Sequence, residues 1–130
     1  MKTEEGIRSS HVGINVSDLD RSIGFYESLL CFQLVSRIVL EDGLRIGFLE
    51  LPEQFQIELV ETGIDEPRGD GAWNHVCLRV ADFDECCQRL QAEGIIFETE
   101  KLFRKEFWEH GMKFAFFRGP DGERLEIAEY

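Results

Sequence analysis

His11-Val-Gly-Ile-Asn-Val-Ser-Asp-Leu-Asp20 returns 64 residues later as His75-Val-Cys-Leu-Arg-Val-Ala-Asp-Phe-Asp84, with five of the ten positions identical. The pairs Ile14/Leu78 and Leu19/Phe83 keep their apolar character. Further along, Phe48–Glu61 lies over Phe116–Glu129 at an offset of 68, matching Phe48/Phe116, Pro52/Pro120, Glu58/Glu126 and Glu61/Glu129. Self-similarity at a nearly fixed spacing marks a tandem duplication. The drift of the offset places a short insertion inside the second copy.

Each copy has the same plan. Val12, Ile14 and Val16, and then Val76, Leu78 and Val80, alternate as half-buried strands do. An Asp-rich bend follows, where Asp18 or Asp20, and Asp82 or Asp84, can cap a helix. Leu19, Ile23, Tyr26 and Leu30 form one apolar helical stripe. Phe83, Cys87 and Leu90 form the second, closed by Gly94. Three strand-like runs complete each copy: 32–40, 44–50 and 55–61 in the first, 95–98, 113–118 and 124–129 in the second. Glu41-Asp-Gly43 and Gly119-Pro-Asp-Gly122 supply turns between strands. The expected fold is α+β, two tandem βαβββ modules forming a curled mixed sheet. The modules span residues 10–61 and 75–130, joined by a Gly- and acid-rich connection at 62–74.

A chain of 130 residues is one domain's worth, with no room for a separate cofactor domain. Its 26 acidic against 14 basic residues give a formal charge of −12, which argues against nucleic acid as a partner. Its apolar runs fall far short of the ~20 residues needed to cross a bilayer. The opening MKTEEGIRSS reads as a short lead-in with no secretory signal, and the expected location is the cytoplasm. Cys31, Cys77, Cys86 and Cys87 form no C-x-x-C motif and are expected to be reduced thiols, mostly small core hydrophobes.

Strand parity then sorts the polar residues. With Val12, Ile14 and Val16 turned toward the helix, His11, Gly13 and Asn15 project from the other face. His75, Cys77 and Arg79 do the same in the second copy. Phe55, Ile57 and Leu59 face the core, leaving Glu58 opposite; Leu125 and Ile127 leave Glu126 opposite. A lone Glu or His there would read as solvated surface. The same two residue types at equivalent places in both copies read as a constrained set, a His₂Glu₂ site for a divalent metal. Its imidazole and carboxylate donors suit Zn²⁺, Ni²⁺, Co²⁺, Mn²⁺ or Fe²⁺, with oxygen-rich sites leaning to harder ions.

On HVGINVSDLDRSIGFYESLL, FQIELVE, NHVCLRVADFDE and GPDGERLEIAEY, the chain resembles the vicinal oxygen chelate superfamily. This superfamily includes glyoxalase I, methylmalonyl-CoA epimerase, extradiol dioxygenases and the fosfomycin and bleomycin resistance proteins. The resemblance runs from about Ser10 to Tyr130 and implies two modules curled around a metal, with His11, Glu58, His75 and Glu126 at the four ligand positions. A set of four resembles glyoxalase I and the epimerases, whereas dioxygenases and fosfomycin-modifying enzymes resemble a two-His, one-Glu set. It implies a metal-dependent lyase or isomerase, with proton transfer through a metal-bound enediolate on a small oxygenated substrate. Glu126 is the expected base and Glu58 its counterpart. The alternatives are an acyl-CoA epimerase, an Fe(II) ring-cleaving dioxygenase, or a non-catalytic resistance or binding protein.

The glyoxalase I pattern places an arginine four residues after the first ligand and an asparagine four after the second. Here these are Asn15 and Thr62, which argues against glutathione as cosubstrate. Arg79 is positioned to hold an anion on the open face. The inserted stretch Lys101–His110 interleaves cations with aromatics: it reads as a surface loop whose Phe and Trp complete the core or a dimer contact, or as a flap, with Lys101, Arg104 or Lys105 meeting a carboxylate or phosphate and Trp108 covering the substrate. Asn15 completes the expected substrate contacts. The expected partners are a small molecule and a second copy in a homodimer, since the modules expose sheet edges.

Overall fold

Alternating apolar residues and capped helical stripes produce the same module twice. In the computed structural model, which describes residues 8–64 and 70–130, the chain divides into units Met1–Ile64 and Asp65–Tyr130. The first seven residues of the lead-in and 65–69 of the connection lie outside the described residues.

The first unit runs β1 (Val12–Val16), α1 (Leu19–Leu30), β2 (Gln33–Val39), β3 (Arg45–Leu51) and β4 (Phe55–Glu61). Its sheet has the order β1-β4-β3-β2, with β1 parallel to β4 and the other pairs antiparallel. The second unit runs β5 (Val76–Arg79), α2 (Phe83–Ala92), β6 (Leu102–Arg104), β7 (Met112–Arg118) and β8 (Arg124–Glu129). Its order, β5-β8-β7-β6, is the same, again with the first pair parallel. Neither four-stranded mixed sheet closes into a barrel.

The helical stripes are buried as their spacing predicts: Leu19, Ile23, Tyr26 and Leu30 on α1, Phe83, Cys87 and Leu90 on α2. Val16, Leu49, Ile57 and Leu59 are buried in the first unit, Leu78, Ala115, Phe117, Leu125 and Ile127 in the second. At Gly47 a Cβ would sit 3.3 Å from the Ile23 and Leu19 side chains, so glycine lets α1 approach the sheet closely. Asp18 and Asp82 are the N-caps, accepting from Arg21 N at 3.1 Å and Glu85 N at 3.0 Å. Gly94 carries φ 96°, as a residue just past a helix end should.

The Glu61/Glu129 coincidence in the repeat has a structural cause. Glu61 Oε2 accepts from Leu19 N at 2.7 Å, and Glu129 Oε1 accepts from Phe83 N at 2.8 Å. Each carboxylate ends the last strand of its unit and satisfies a free amide at the positive end of its helix.

Two expectations need correction. Residues 95–98 form no strand, and the edge strand of the second sheet is β6, inside the stretch read as an insertion. Glu98 N donates to Phe116 O at 2.9 Å, but Phe116 N donates to the Thr99 hydroxyl at 3.2 Å. A side chain thus takes the amide that a continuing ladder would use, and Ile96 is left 88% exposed. The cysteines are free thiols, but only Cys87 is buried; Cys31 and Cys77 are exposed, Cys31 because it is the left-handed residue closing α1 at φ 61°. Among the described residues no helix is long and apolar enough to cross a membrane.

Glu61→Ala and Glu129→Ala should each cost about 1–2 kcal/mol, the size expected for a charged helix-end hydrogen bond. Urea denaturation should register both losses. Equal midpoints for variant and parent would show that these carboxylates do not hold the helices.

Candidate metal centre

Parallel pairing puts Gly13 directly beside Glu58 and Cys77 directly beside Glu126. Antiparallel pairing puts Phe48 and Phe116 on the other side of the same glutamates. Each glutamate therefore stands between a small side chain and a phenyl ring, on the sheet face away from its helix, with the histidine two residues before the small one. His11 Nε2 lies 3.7 Å from Glu58 Oε1, and His75 Nε2 lies 3.2 Å from Glu126 Oε1. Both imidazoles meet their phenylalanine edge-on, at 5.3 Å and 86° for His11–Phe48 and 5.2 Å and 84° for His75–Phe116. The glycine leaves room: a Cβ at Gly13 would already sit 3.5 Å from Glu58 Oε1.

The two pairs differ in their surroundings. Glu126 is only 5% exposed, an unusual degree of burial for a carboxylate, whereas Glu58 is half-buried. Partial desolvation against the sheet, exposed though the residue is, and the adjacent Glu126 carboxylate push the Cys77 thiol up to about 12. His11 Nδ1 lies 3.1 Å from Ser10 Oγ, while His75 Nδ1 lies 2.6 Å from Asn74 Oδ1. Asn74 Oδ1 also accepts from Arg124 Nη1 at 3.1 Å, and the Arg124 guanidinium lies over the Phe116 ring, 3.8 Å from its centroid. Arg124 Nε and Arg118 Nε donate to opposite oxygens of Glu98, at 2.8 and 2.9 Å, and Arg118 also pairs with Asp70. The two guanidiniums hold the Glu98 carboxyl below its ordinary range, and Arg118 does the same to Asp70.

Donor spacing tests the fit to a metal. With ligand bonds of about 2.0–2.2 Å, neighbouring ligands at tetrahedral or octahedral angles stand about 2.8–3.6 Å apart. The His75–Glu126 separation, 3.2 Å, falls inside that range, and His11–Glu58, at 3.7 Å, lies just beyond its upper end. The structure brings these donors together two by two. Among the described residues no group of three or more His, Cys, Asp or Glu is close enough to hold an ion.

The expected substrate contacts are placed as follows. Asn15 is exposed on the same strand and face as His11. Arg79 donates to the Tyr130 carbonyl and lies over its ring at 4.1 Å, and the Trp108 indole stacks on that ring at 4.5 Å and 6°. Phe107, from the same turn as Trp108, meets Phe114 at 6.1 Å. Met112, Phe114, Phe116 and Ala128 pack together with Leu102 on the Glu126 face. The aromatic residues of the 105–111 turn therefore lie over that face. Arg104 is exposed on the edge strand, with Nη1 donating to the Phe103 carbonyl at 3.2 Å. Lys101 donates to Asp84, in the first turn of α2, at 3.2 Å, so its charge is already engaged. Sequence reasoning missed Asn74, Arg124, Glu98 and Tyr130; the Phe48/Phe116 match was visible in the repeat, though not what it supports.

Residues 8–127 match the family model described as the Glyoxalase/Bleomycin resistance protein/Dioxygenase superfamily. The chain belongs to that superfamily. It is 30% identical over 124 residues to the Bacillus subtilis protein YwbC, covering 92% of this chain and 95% of that one. It is 26% identical over 132 residues to the lactoylglutathione lyase of Neisseria meningitidis serogroup A, covering 95% and 91%. Among solved structures, the trypanothione-dependent glyoxalase I of Leishmania major superimposes with a TM-score of 0.79 at 26% identity, over 95% of this chain and 87% of that one.

Because Glu98 and Asp70 titrate low in the folded chain, the stability they contribute is complete above the ordinary carboxylate range, about pH 4–5. It is lost as pH falls through their lowered values. Arg118→Met should therefore lower stability at neutral pH and flatten its fall in acid, read by thermal melts from pH 7 to 3. Parallel curves for variant and parent would contradict this.

Proposed function

We propose that this chain is a metal-dependent lyase or isomerase of the glyoxalase I kind, with His11, Glu58, His75 and Glu126 holding a divalent ion, Zn²⁺ or Ni²⁺ first. The observation that carries the reading is a His–Glu pair built twice, at 3.2 and 3.7 Å, with an equivalent phenylalanine, Phe116 or Phe48, edge-on to each imidazole. Likeness over most of their length to lactoylglutathione lyases and a glyoxalase I supports the reaction class. Such an ion, when bound, polarises a substrate carbonyl and stabilises negative charge developing on its oxygen.

The protein's own groups move the proton. Glu126 is the base that takes the proton from the carbon beside the carbonyl and returns it to the neighbouring carbon, with Glu58 as its counterpart. A carboxylate buried to this degree exchanges its captured proton slowly with solvent, which favours delivery back to substrate. Asn15, Arg79, Arg104 and Trp108 contact the substrate, the arginines countering a carboxylate or phosphate and the indole covering an apolar part. Thr62, where glyoxalase I carries an asparagine, uses its hydroxyl locally: it donates to Val16 O and accepts from Ile64 N, both at 3.3 Å. The substrate is therefore a small α-oxo or α-hydroxy compound rather than a glutathione adduct. The working form is a homodimer: Leu34, Val35, Ile38 and Val39 are exposed along the free edge strand β2.

Elemental analysis of the purified chain should find a divalent metal that His75→Ala largely loses. Glu126→Gln should keep its circular dichroism yet lose at least ~10²-fold in turnover, assayed on a panel of 2-oxoaldehydes with and without thiol. Unchanged metal content in His75→Ala, or full turnover in Glu126→Gln, would reject the corresponding assignment.

A further inference from the structure

The duplication supplies an internal comparison. His11 and His75 occupy equivalent positions, and so do Ser10 and Asn74 before them, and Gln56 and Arg124 two residues before each glutamate. The imidazoles match in their phenyl contact and differ in what holds Nδ1. A serine hydroxyl rotates and can donate or accept, so Ser10 imposes no choice on His11. Asn74 offers no such freedom. A guanidinium only donates, so the Asn74 side-chain atom 3.1 Å from Arg124 Nη1 must be the carbonyl oxygen. That oxygen accepts, so His75 Nδ1, 2.6 Å away, must carry a proton. The free lone pair of the ring is then on Nε2, the nitrogen facing Glu126 Oε1.

Arg124 is itself fixed on two further sides. It lies over the Phe116 ring, its Nε is bound by Glu98 Oε1, and the other oxygen of Glu98 is bound by Arg118. Phe116 is also the ring that His75 meets edge-on, so one phenyl group sets the positions of both the imidazole and the cation that orients it.

We infer that Arg124, acting through Asn74 Oδ1, is a positioning residue that fixes the His75 tautomer and ring angle, making His75–Glu126 the pre-set, tight half of the metal site and His11–Glu58 the adaptable half. The inference rests on the proposal that His75 ligates the ion. It adds to that proposal a cause of affinity outside the four ligands: partners that orient a ligating imidazole carry about 10–100-fold in metal affinity.

The test uses Co²⁺ on the full-length chain. Binding is titrated by absorbance, and the ring N–H protons of the coordinated histidines are read as shifted, solvent-exchangeable proton resonances. Arg124→Met and Asn74→Ala should each weaken Co²⁺ binding by about 10–100-fold and speed exchange of the His75 ring proton. Arg124→Lys, which keeps a donor, should recover part of both, and Ser10→Ala should change affinity by less than about threefold. Asn74→Ala leaves the Arg124–Glu98–Arg118 contacts in place, so its effect does not depend on whether Arg124→Met loosens the sheet. If His75→Ala loses Co²⁺ while Asn74→Ala and Arg124→Met bind it like the parent with unchanged ring-proton exchange, the positioning role is wrong and the ligand assignment stands. If His75→Ala binds Co²⁺ like the parent, the ligand assignment fails and the positioning role fails with it.

Discussion

An imidazole nitrogen and a carboxylate oxygen held 3.2 Å apart make a pair that only a cation completes. In the neutral tautomer inferred for His75, Nε2 and Glu126 Oε1 are two acceptors facing each other, and they repel unless a proton or metal ion lies between them. The rest of the second unit serves to keep that pair in place. Parallel pairing of β5 with β8 sets Cys77 beside Glu126 and fixes how far His75 can stand from it. Phe116 backs the imidazole, and the α2 stripe packs the opposite face so that the strands cannot shift by one residue without exposing Leu125 and Ile127. Glu129, at the far end of β8, ties the start of α2 to the same strand.

Duplication supplied two copies of this device, and they have diverged in the residues around the His–Glu pair rather than in the pair itself. The first copy keeps His, Glu and Phe but has Ser10 and Gln56 where the second has Asn74 and Arg124. The second copy also carries the 105–111 turn, which brings Phe107 and Trp108 over its ligand face. One half thus holds its histidine and glutamate among oriented partners and aromatic rings. The other keeps a half-buried glutamate and a more loosely held histidine. In a proposed reaction that asks one carboxylate to move a proton and another to remain a partner, unequal halves are a functional asset.

What the sequence made legible followed from periodicity. Alternation in 12–16, 55–61 and 124–129 located strands and assigned faces, and through the faces it put His11, Glu58, His75 and Glu126 opposite the helices. The 95–98 segment misled because Ile95, Ile96 and Phe97 look like a buried strand, while the deciding feature is the Thr99 hydroxyl taking the Phe116 amide. Lys101 reads as part of a cationic flap; its pairing with Asp84 at the start of α2 joins residues 17 positions apart that no local pattern links. The Asn74–Arg124 contact joins residues 50 positions apart, and nothing in either neighbourhood distinguishes Arg124 from an ordinary polar residue on an alternating strand. Contacts of that kind depend on which strands lie side by side, and local pattern does not carry them.

The most direct measurement is an anomalous-difference map from crystals of the metal-loaded protein, collected at the absorption edge of the bound ion. The account predicts one peak for each set of His11, Glu58, His75 and Glu126, whether contributed by one chain or by two, bonded to both Nε2 atoms and to an oxygen of each glutamate. A peak on one His–Glu pair alone, or none on either, would contradict it.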